Sequence, residues 1–435
     1  MWTRRHTRTS RSSTASRLSA LVVVVGLLAV SCGGGAVQQE TDAGGSPPAG
    51  SSGGSSDDSG GSGGRGGTPV VLQPIDSSAP EKVPSALDDV NDSELPEAVI
   101  DTDELKSGGP PPDGIPAIDE PKFVKPATVD WLAPNEPVIA LELDSERRAY
   151  PVQVLIWHEI VNDTVGGRPV SVTYCPLCNT ALAYDRRIDD RLVTFGTSGL
   201  LYKSALVMYD RQTESLWSQL ESRAVAGELA GTELDRIPVQ TITWSQWKSQ
   251  SPDGYVLSRD TGHVRDYGTN PYTGYDNPDG DPFLFDGEAD PRLPPMARVL
   301  GVGEGDDAAA LELDKLADVG ATHLTVDGTP AVAFAVPGLA SALDAANVAD
   351  GYATAATGVF DTRITGRQLT FEPTSDGQFR DLETQSIWTL TGQAVDGTLA
   401  GEQLRRVDHL DTFWFAWAAG EPKTTIVDPE GGADR

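Results

Sequence analysis

Apolar and polar residues alternate in short runs from about residue 113 onward. The segments 138–143 (VIALEL) and 170–174 (VSVTY) are two examples, and turn-forming sequences such as 165–167 (VGG) separate the runs. An alternation with a period of two is typical of strands that have one buried face. The pattern therefore predicts a mainly β fold with short helices, in the α+β class.

Two segments predict particular elements. Residues 181–199 (ALAYDRRIDDRLVTFGTSG) are typical of a hairpin with its turn near 188–190, because alternating runs flank an Asp-Asp pair. Residues 243–254 predict a helix in which Thr243 is the N-cap and which ends before Pro252. Other helical patterns are few and short.

The sequence also repeats itself. Residues 212–237 (QTESLWSQLESRAVAGELAGTELDRI) return as 382–407 (LETQSIWTLTGQAVDGTLAGEQLRRV), and a Trp-x-x-Trp pair follows each copy. Such self-similarity indicates two degenerate copies of one β-rich unit. We predict a first repeat at 113–290, with a Cys-x-x-Cys motif, and a second repeat at 291–428, without cysteine. Residues that both copies share are expected to build the fold, and unshared polar residues are candidates for function.

Charge excludes one class of function. The 435 residues carry a formal net charge of −31. A surface this acidic repels phosphate backbones, so we expect no nucleic-acid partner.

The first 32 residues are typical of an export signal. Arginines precede an apolar run at 18–30 (LSALVVVVGLLAV), which is short for a permanent membrane-spanning helix. Cys32 follows in the sequence AVSCG, which resembles a bacterial lipoprotein signal, with Ala29 where leucine is usual. We therefore predict a signal peptide at 1–32, lipidation of Cys32 and anchoring to the extracytoplasmic face of the membrane. The alternative is an ordinary signal peptide and a secreted protein.

Residues 33–112 have the composition of a linker. Their first half is rich in glycine and serine, and their second half is acidic, as in 88–109 (DDVNDSELPEAVIDTDELKSGG). Such a segment buries little apolar surface, so we predict a disordered linker.

The motif Cys-Pro-Leu-Cys at 175–178 is the main candidate for chemistry, since it holds two of the three cysteines. Thiolates favour copper(I) or zinc, and two cysteines three residues apart can reach one ion from a tight turn. The other ligands would come from His158, Met208 or a carboxylate such as Glu159. A set of Cys175, Cys178 and His158, with Met208 as an optional fourth ligand, suits copper better than structural zinc.

Two alternatives stay open for the same motif. In a thiol–disulfide oxidoreductase, Cys175 would attack and Cys178 would resolve the mixed disulfide, which would make both residues catalytic. Such motifs commonly begin a helix, whereas the residues that follow here predict a hairpin. In the third interpretation the pair forms a structural disulfide in a non-catalytic binding module, since exported proteins oxidise their cysteines.

Weaker signals lie elsewhere. Ser198 does not stand in a Gly-x-Ser-x-Gly elbow, and adjacent Lys203 and Ser204 point to opposite faces of a strand, so hydrolysis is disfavoured. An aspartate-rich run at 276–281 has the composition of a calcium loop without its spacing. His409, unmatched in the first repeat, could close a site between the repeats.

Several segments together resemble one known family. They are 113–123 (DGIPAIDEPKF), 157–187 (WHEIVNDTVGGRPVSVTYCPLCNTALAYDRR), 194–219 (TFGTSGLLYKSALVMYDRQTESLWSQ), 290–295 (DPRLPP) and 411–419 (DTFWFAWAA). The sequence resembles the prokaryotic domain of unknown function numbered 3179 across nearly all of 113–428. The resemblance implies an extracytoplasmic, frequently lipid-anchored protein. It implies no activity, so whether the chain is an enzyme is left to the chemistry of its residues.

Overall fold

The structure is a computed structural model that describes residues 84–431. Strands dominate this range, and its α-helices are short, so the predicted mainly β, α+β class is confirmed. None of the helices in it has the length and apolar character needed to cross a membrane. The predicted signal peptide, Cys32 and residues 33–83 of the predicted linker lie outside the described residues.

The elements before residue 260 belong to the predicted first repeat or precede it. In chain order they are β1 (Leu105–Ser107), β2 (Phe123–Val124), β3 (Pro137–Leu143), β4 (Glu146–Pro151), α1 (Val152–Leu155), β5 (Ile160–Val165), β6 (Arg168–Cys175), β7 (Thr180–Asp185), β8 (Arg187–Ile188), β9 (Arg191–Leu192), β10 (Phe195–Tyr202), β11 (Ala205–Asp210), β12 (Leu216–Ser218), β13 (Arg223–Ala226), β14 (Arg236–Ile237), β15 (Gln240–Thr243), α2 (Trp244–Gln250) and β16 (Tyr255–Leu257).

The elements after residue 290 belong to the predicted second repeat. In chain order they are β17 (Arg298–Val302), β18 (Ala309–Glu312), α3 (Leu313–Val319), β19 (Ala321–Val326), β20 (Thr329–Ala340), β21 (Ala353–Asp361), β22 (Arg363–Ile364), β23 (Arg367–Gln368), β24 (Phe371–Pro373), β25 (Phe379–Asp381), β26 (Ile387–Trp388), β27 (Ala394–Asp396), β28 (His409–Phe413), α4 (Trp414–Gly420) and β29 (Thr425–Val427).

The two sets of strands have matching sheets. The order β15-β3-β4-β16-β2 in the first set corresponds to β28-β17-β18-β29 in the second. In both sheets one pair is parallel: β16 with β4, and β29 with β18. The orders β7-β6-β5 and β10-β11-β12-β13 correspond to β21-β20-β19 and β24-β25-β26-β27. This common strand order is what two copies of one unit would produce, while the predicted repeat boundaries stay a prediction.

Local predictions held in part. Thr243 is the N-cap of α2 and the helix ends at Gln250, before Pro252, as the sequence predicts. The structure adds a capping box between Thr243 and Gln246. The turn near 188–190 joins β8 to β9, but this hairpin has only two residues in each strand. Its predicted arms, β7 and β10, belong to different sheets. The hairpin prediction was therefore right for the turn and wrong for the arms, because the chain leaves one sheet for another there.

The last part of the predicted linker has a defined structure, which corrects the prediction for residues 84–112. Strand β1 pairs with β10, and Leu105 lies opposite Tyr202. Apolar side chains of this segment, among them Ala86 and Leu95, pack on a small core that contains Val207 and Leu216. The prediction was wrong here because the acidic composition outweighs these few apolar residues in the sequence. Their burial against an existing sheet edge offsets the entropy lost when the segment becomes ordered.

The largest apolar core joins residues of both predicted repeats. Cys175 and Cys178 of the first repeat lie in it together with Val299 and Phe413 of the second. A second core likewise combines Trp244, in α2, with aromatic residues of the second repeat. The surroundings of the cysteines are therefore built by both halves of the chain.

Candidate functional site

The Cys-Pro-Leu-Cys motif forms the turn between β6 and β7. Cys175 is the last residue of β6, opposite Thr180, which begins β7. The carbonyl of Cys178 accepts hydrogen bonds from the hydroxyl groups of Thr180 (3.1 Å) and Thr412 (2.9 Å) and from the backbone N–H of Phe413 (3.1 Å). Two of these three donors come from β28, so a strand of the predicted second repeat holds the cysteine turn in place.

Both sulfur atoms are buried. The exposed fraction is 1% for Cys175 and 0% for Cys178, and neither is in a disulfide within the part of the chain that the structure describes. The thiol of Cys178 faces the carbonyl of Cys175 at 3.9 Å. Burial raises the pKa of the Cys175 thiol, although the backbone N–H groups of Cys178 and Leu206 point at its sulfur and favour the thiolate. A positive ion would compensate the charge that burial disfavours.

His158 is buried between α1 and β5, and both of its ring nitrogens have partners. Nδ1 is 2.7 Å from the carbonyl oxygen of Pro116, and Nε2 is 2.6 Å from the hydroxyl of Tyr267. Burial lowers the pKa of His158 to about 4, so the ring is neutral near neutral pH. The ring must give up the Tyr267 contact or the Pro116 contact before it can coordinate an ion. Its role as a ligand stays a prediction.

Met208 lies in β11 and is fully buried in the apolar core that contains the two cysteines. Its backbone pairs with Trp217 of β12. Among residues 84–431, no three or more His, Cys, Asp or Glu side chains are grouped so that they could hold a metal ion. Met208 stays a predicted further ligand beside the sulfurs of Cys175 and Cys178.

Glu159 is a second buried ionisable group beside the cysteines. Its carbonyl accepts a hydrogen bond from the N–H of Tyr174 (2.8 Å), next to Cys175. Burial, with a smaller contribution from Cys175, raises the pKa of Glu159 to about 8. Its φ of 58° is unusual for a residue with a side chain. Glycine, Gly320 with φ of 77°, stands at the corresponding place after α3. This left-handed conformation costs a non-glycine residue free energy, and it is the basis for the hypothesis that the Glu159 side chain has a role here.

Three tyrosines of the segment that joins the repeats cover these groups. We call them the tyrosine cover: Tyr267, Tyr272 and Tyr275. Tyr267 contacts His158, Tyr272 lies beside the carboxyl group of Glu159, and the hydroxyl of Tyr275 donates to the carbonyl of Leu177 (3.0 Å). The sequence interpretation missed this role, because the segment has no alternation. The signal available was three tyrosines within nine residues of a turn-rich stretch.

The weaker sequence candidates have structural partners. The hydroxyl of Ser198 donates to the carbonyl of Val207. Asp276, in the aspartate-rich run, forms an ion pair with Arg298 at 2.7 Å. Nδ1 of His409 is 3.1 Å from the carbonyl oxygen of its near neighbour Val407. These contacts account for each side chain as part of the scaffold.

Comparisons with known proteins give a family and no activity. A family model described as "Protein of unknown function (DUF3179)" matches residues 112–424, which is most of the chain. No curated protein matches the sequence, and no solved structure matches it.

Proposed function

The chain belongs to the DUF3179 family, which carries no established activity, and we propose that it binds copper(I) through the paired sulfurs of Cys175 and Cys178. In this proposal it is a lipid-anchored protein on the extracytoplasmic face of the membrane that handles the metal or uses it in redox chemistry. The observation that carries the proposal is the burial of two adjacent, unbridged thiols in a rigid turn.

The chemistry of the donors fits copper(I) better than zinc. Thiolates are soft ligands and select copper(I), which accepts few ligands, whereas structural zinc usually needs four protein ligands. The N–H groups of Cys178 and Leu206 favour a thiolate at Cys175. His158 and Met208 are the predicted further ligands. The ion, when bound, would supply positive charge to a core that otherwise disfavours thiolates.

Burial argues against the competing oxidoreductase function. Thiol–disulfide exchange requires a thiolate that can approach a sulfur of the substrate in line, and reactive cysteines are accessible and have a lowered pKa. Cys175 is 1% exposed, and burial raises the pKa of its thiol. A small ion can enter where a protein disulfide cannot, once the tyrosine cover moves.

Anchoring is supported by the sequence alone. An export-type segment precedes Cys32, and a lipidated residue there would tie the chain to the membrane through residues 33–83. Mass spectrometry of the membrane fraction tests this point: a diacylated N-terminal cysteine supports it, and an unmodified secreted chain contradicts it.

Copper loading of the purified protein tests the metal site. The reduced chain is expected to take up about one copper(I) ion in competition with a colorimetric chelator, and Cys175→Ser and Cys178→Ser should each lose binding by at least about 100-fold. Met208→Leu tests the predicted fourth ligand. Its matched control is Met296→Leu, because Met296 is a buried methionine of the same core that is not a predicted ligand.

The result that would contradict the proposal is a folded, reduced wild-type protein that takes up no copper(I). In that case reversible oxidation of the same pair, followed by thiol alkylation, would favour the oxidoreductase function. A pair that is oxidised throughout and inert would favour a structural disulfide.

A further inference from the structure

Two histidine rings lie side by side, one buried and one exposed. The ring centres of His158 and His263 are 5.4 Å apart, and the ring planes are inclined at 48° to each other. His158 is fully buried, whereas His263 is exposed in the segment that joins the repeats. The whole chain has only five histidines, so two of them in contact are a specific feature.

The ring of His158 has the arrangement of a metal ligand. Its Nδ1 is 2.7 Å from the carbonyl oxygen of Pro116, which can only accept, so Nδ1 carries the proton. Nε2 is then unprotonated and accepts a hydrogen bond from the hydroxyl of Tyr267 (2.6 Å). Burial lowers the pKa of His158 to about 4, so no proton occupies this lone pair near neutral pH. Histidine ligands in metal sites commonly donate their other ring N–H to a backbone carbonyl in this way.

The separation of the two rings fits a shared ion. A zinc ion lies about 2.0–2.1 Å from an imidazole nitrogen, and therefore about 3.2 Å from the centre of that ring. Two rings bound at the tetrahedral angle then have their centres about 5.2 Å apart. The observed 5.4 Å differs little from this value, so the side chains reach one ion with only a small adjustment.

The local chain orders the exposed half of the pair. Gly262, with φ of 83°, allows the turn before His263, and the N–H of His263 donates to the hydroxyl oxygen of Thr261 (3.2 Å). The hydroxyl of Thr261 is 2.6 Å from that of Tyr267. Tyr267 is only partly buried, so its hydroxyl can move off Nε2 and keep Thr261 as a partner. The tyrosine thus covers the lone pair without sealing it.

We propose that His158 and His263 together bind a divalent cation of the zinc(II) or copper(II) class. Imidazole suits these ions, and two protein nitrogens leave two tetrahedral positions for water. The net charge of −31 attracts cations, whereas nearby Arg265 opposes them locally. The site goes beyond copper(I) binding at the cysteine turn and does not depend on it. His158 has a single free lone pair, so it serves one of the two sites at a time.

Calorimetric titration of the whole reduced protein with zinc(II) tests the site. His263→Ala removes one of the two nitrogens from the surface without altering the cysteine turn. It is expected to weaken one zinc site at least about 10-fold, because loss of a mere outer-shell partner already costs about 10–100-fold. Val264→Ala is the matched control, since Val264 is the neighbouring side chain and is 94% exposed. It should bind zinc as wild type does.

Cobalt(II), used in place of zinc, separates the two sites by their spectra. Cobalt held by imidazole and water shows visible bands without the near-ultraviolet charge transfer of a thiolate ligand. His263→Ala should lose such bands, and the Cys175→Ser, Cys178→Ser double variant should keep them. Equal zinc binding by wild type and His263→Ala would overturn the proposal, and so would loss of the bands in the double variant. If the double variant fails to fold, the comparison of wild type with His263→Ala still decides. Failure of copper(I) to bind the cysteines would leave this result unchanged.

Discussion

The two predicted repeats share a buried polar network and differ at the cysteine turn. In the first repeat Asp210 accepts hydrogen bonds from the N–H and hydroxyl of Thr213 and from the indole of Trp217. In the second, Asp381 accepts the same set from Thr384 and Trp388. Identical contacts in both copies identify this network as part of the scaffold.

The hairpins that follow α1 and α3 diverge where the cysteines lie. By strand register, Asp185 and Asp361 occupy equivalent places, and so do Cys175 and Val336. The first hairpin turns directly after Cys175, whereas β20 and β21 continue to pair as far as Ala340. The predicted second repeat thus keeps the hairpin without the cysteines, and the comparison concentrates candidate function on one turn.

Breaking the shared network should give the largest effect on stability. Asp210→Asn and Asp381→Asn each replace a fully buried acceptor by an amide whose NH₂ group faces donors. We expect each to lower the free energy of unfolding by about 3 kcal/mol, and the two losses to be similar. Urea unfolding of both variants measures this. A large loss for one and a negligible loss for the other would refute the equivalence of the two networks.

Substitutions of Glu159, after α1, and Gly320, after α3, should change the free energy of unfolding by a smaller amount and with opposite signs. Glu159→Gly relieves a left-handed conformation and should raise the free energy of unfolding by about 1 kcal/mol. Gly320→Ala should lower it by at least as much, since its added Cβ would also lie 2.9 Å from Pro373. Thermal unfolding compares them. A destabilised Glu159→Gly would show that the carboxyl contributes more than its backbone costs.

The smallest expected effect is the loss of stability in acid when Asp185 becomes protonated. Burial opposes ionisation of Asp185, but hydrogen bonds from Arg187 and Arg168 outweigh it and lower the pKa from 3.8 to about 2. Its contribution is therefore complete above about pH 4 and is lost as pH falls toward about 2. We expect the ionised Asp185 carboxylate to add under about 1 kcal/mol to the free energy of unfolding, because both arginines are partly exposed. The free energies of unfolding of wild type and Asp185→Asn should differ at about pH 6 and become equal near pH 2. A difference that persists in acid would exclude the ionised carboxylate as its cause.

The sequence predicted the fold class, the family and helix α2 because these depend on local signals. Alternation marks strands wherever they pair, and Thr243 with Gln246 forms a cap from residues three apart. The order of strands in the sheets could not be predicted in this way. It depends on contacts such as those between β1 and β10, which lie nearly a hundred residues apart.

The candidate site was predictable only in its centre. The sequence alone identifies Cys175 and Cys178, because they lie three residues apart in a chain with only three cysteines. The partners of His158, by contrast, are a backbone carbonyl and the hydroxyl of Tyr267, 109 residues away. The conformation of Glu159 and the donors from β28 likewise arise from tertiary packing, which a local pattern does not encode.

Copper K-edge absorption spectroscopy of the reduced, copper-loaded protein tests the central claim most directly, because it identifies the atoms bound to the metal. The account predicts copper(I) with sulfur ligands from the cysteine turn, and loss of that sulfur signal in the Cys175→Ser, Cys178→Ser double variant. Copper bound only by nitrogen or oxygen, or a wild-type spectrum unchanged by the double substitution, would contradict it.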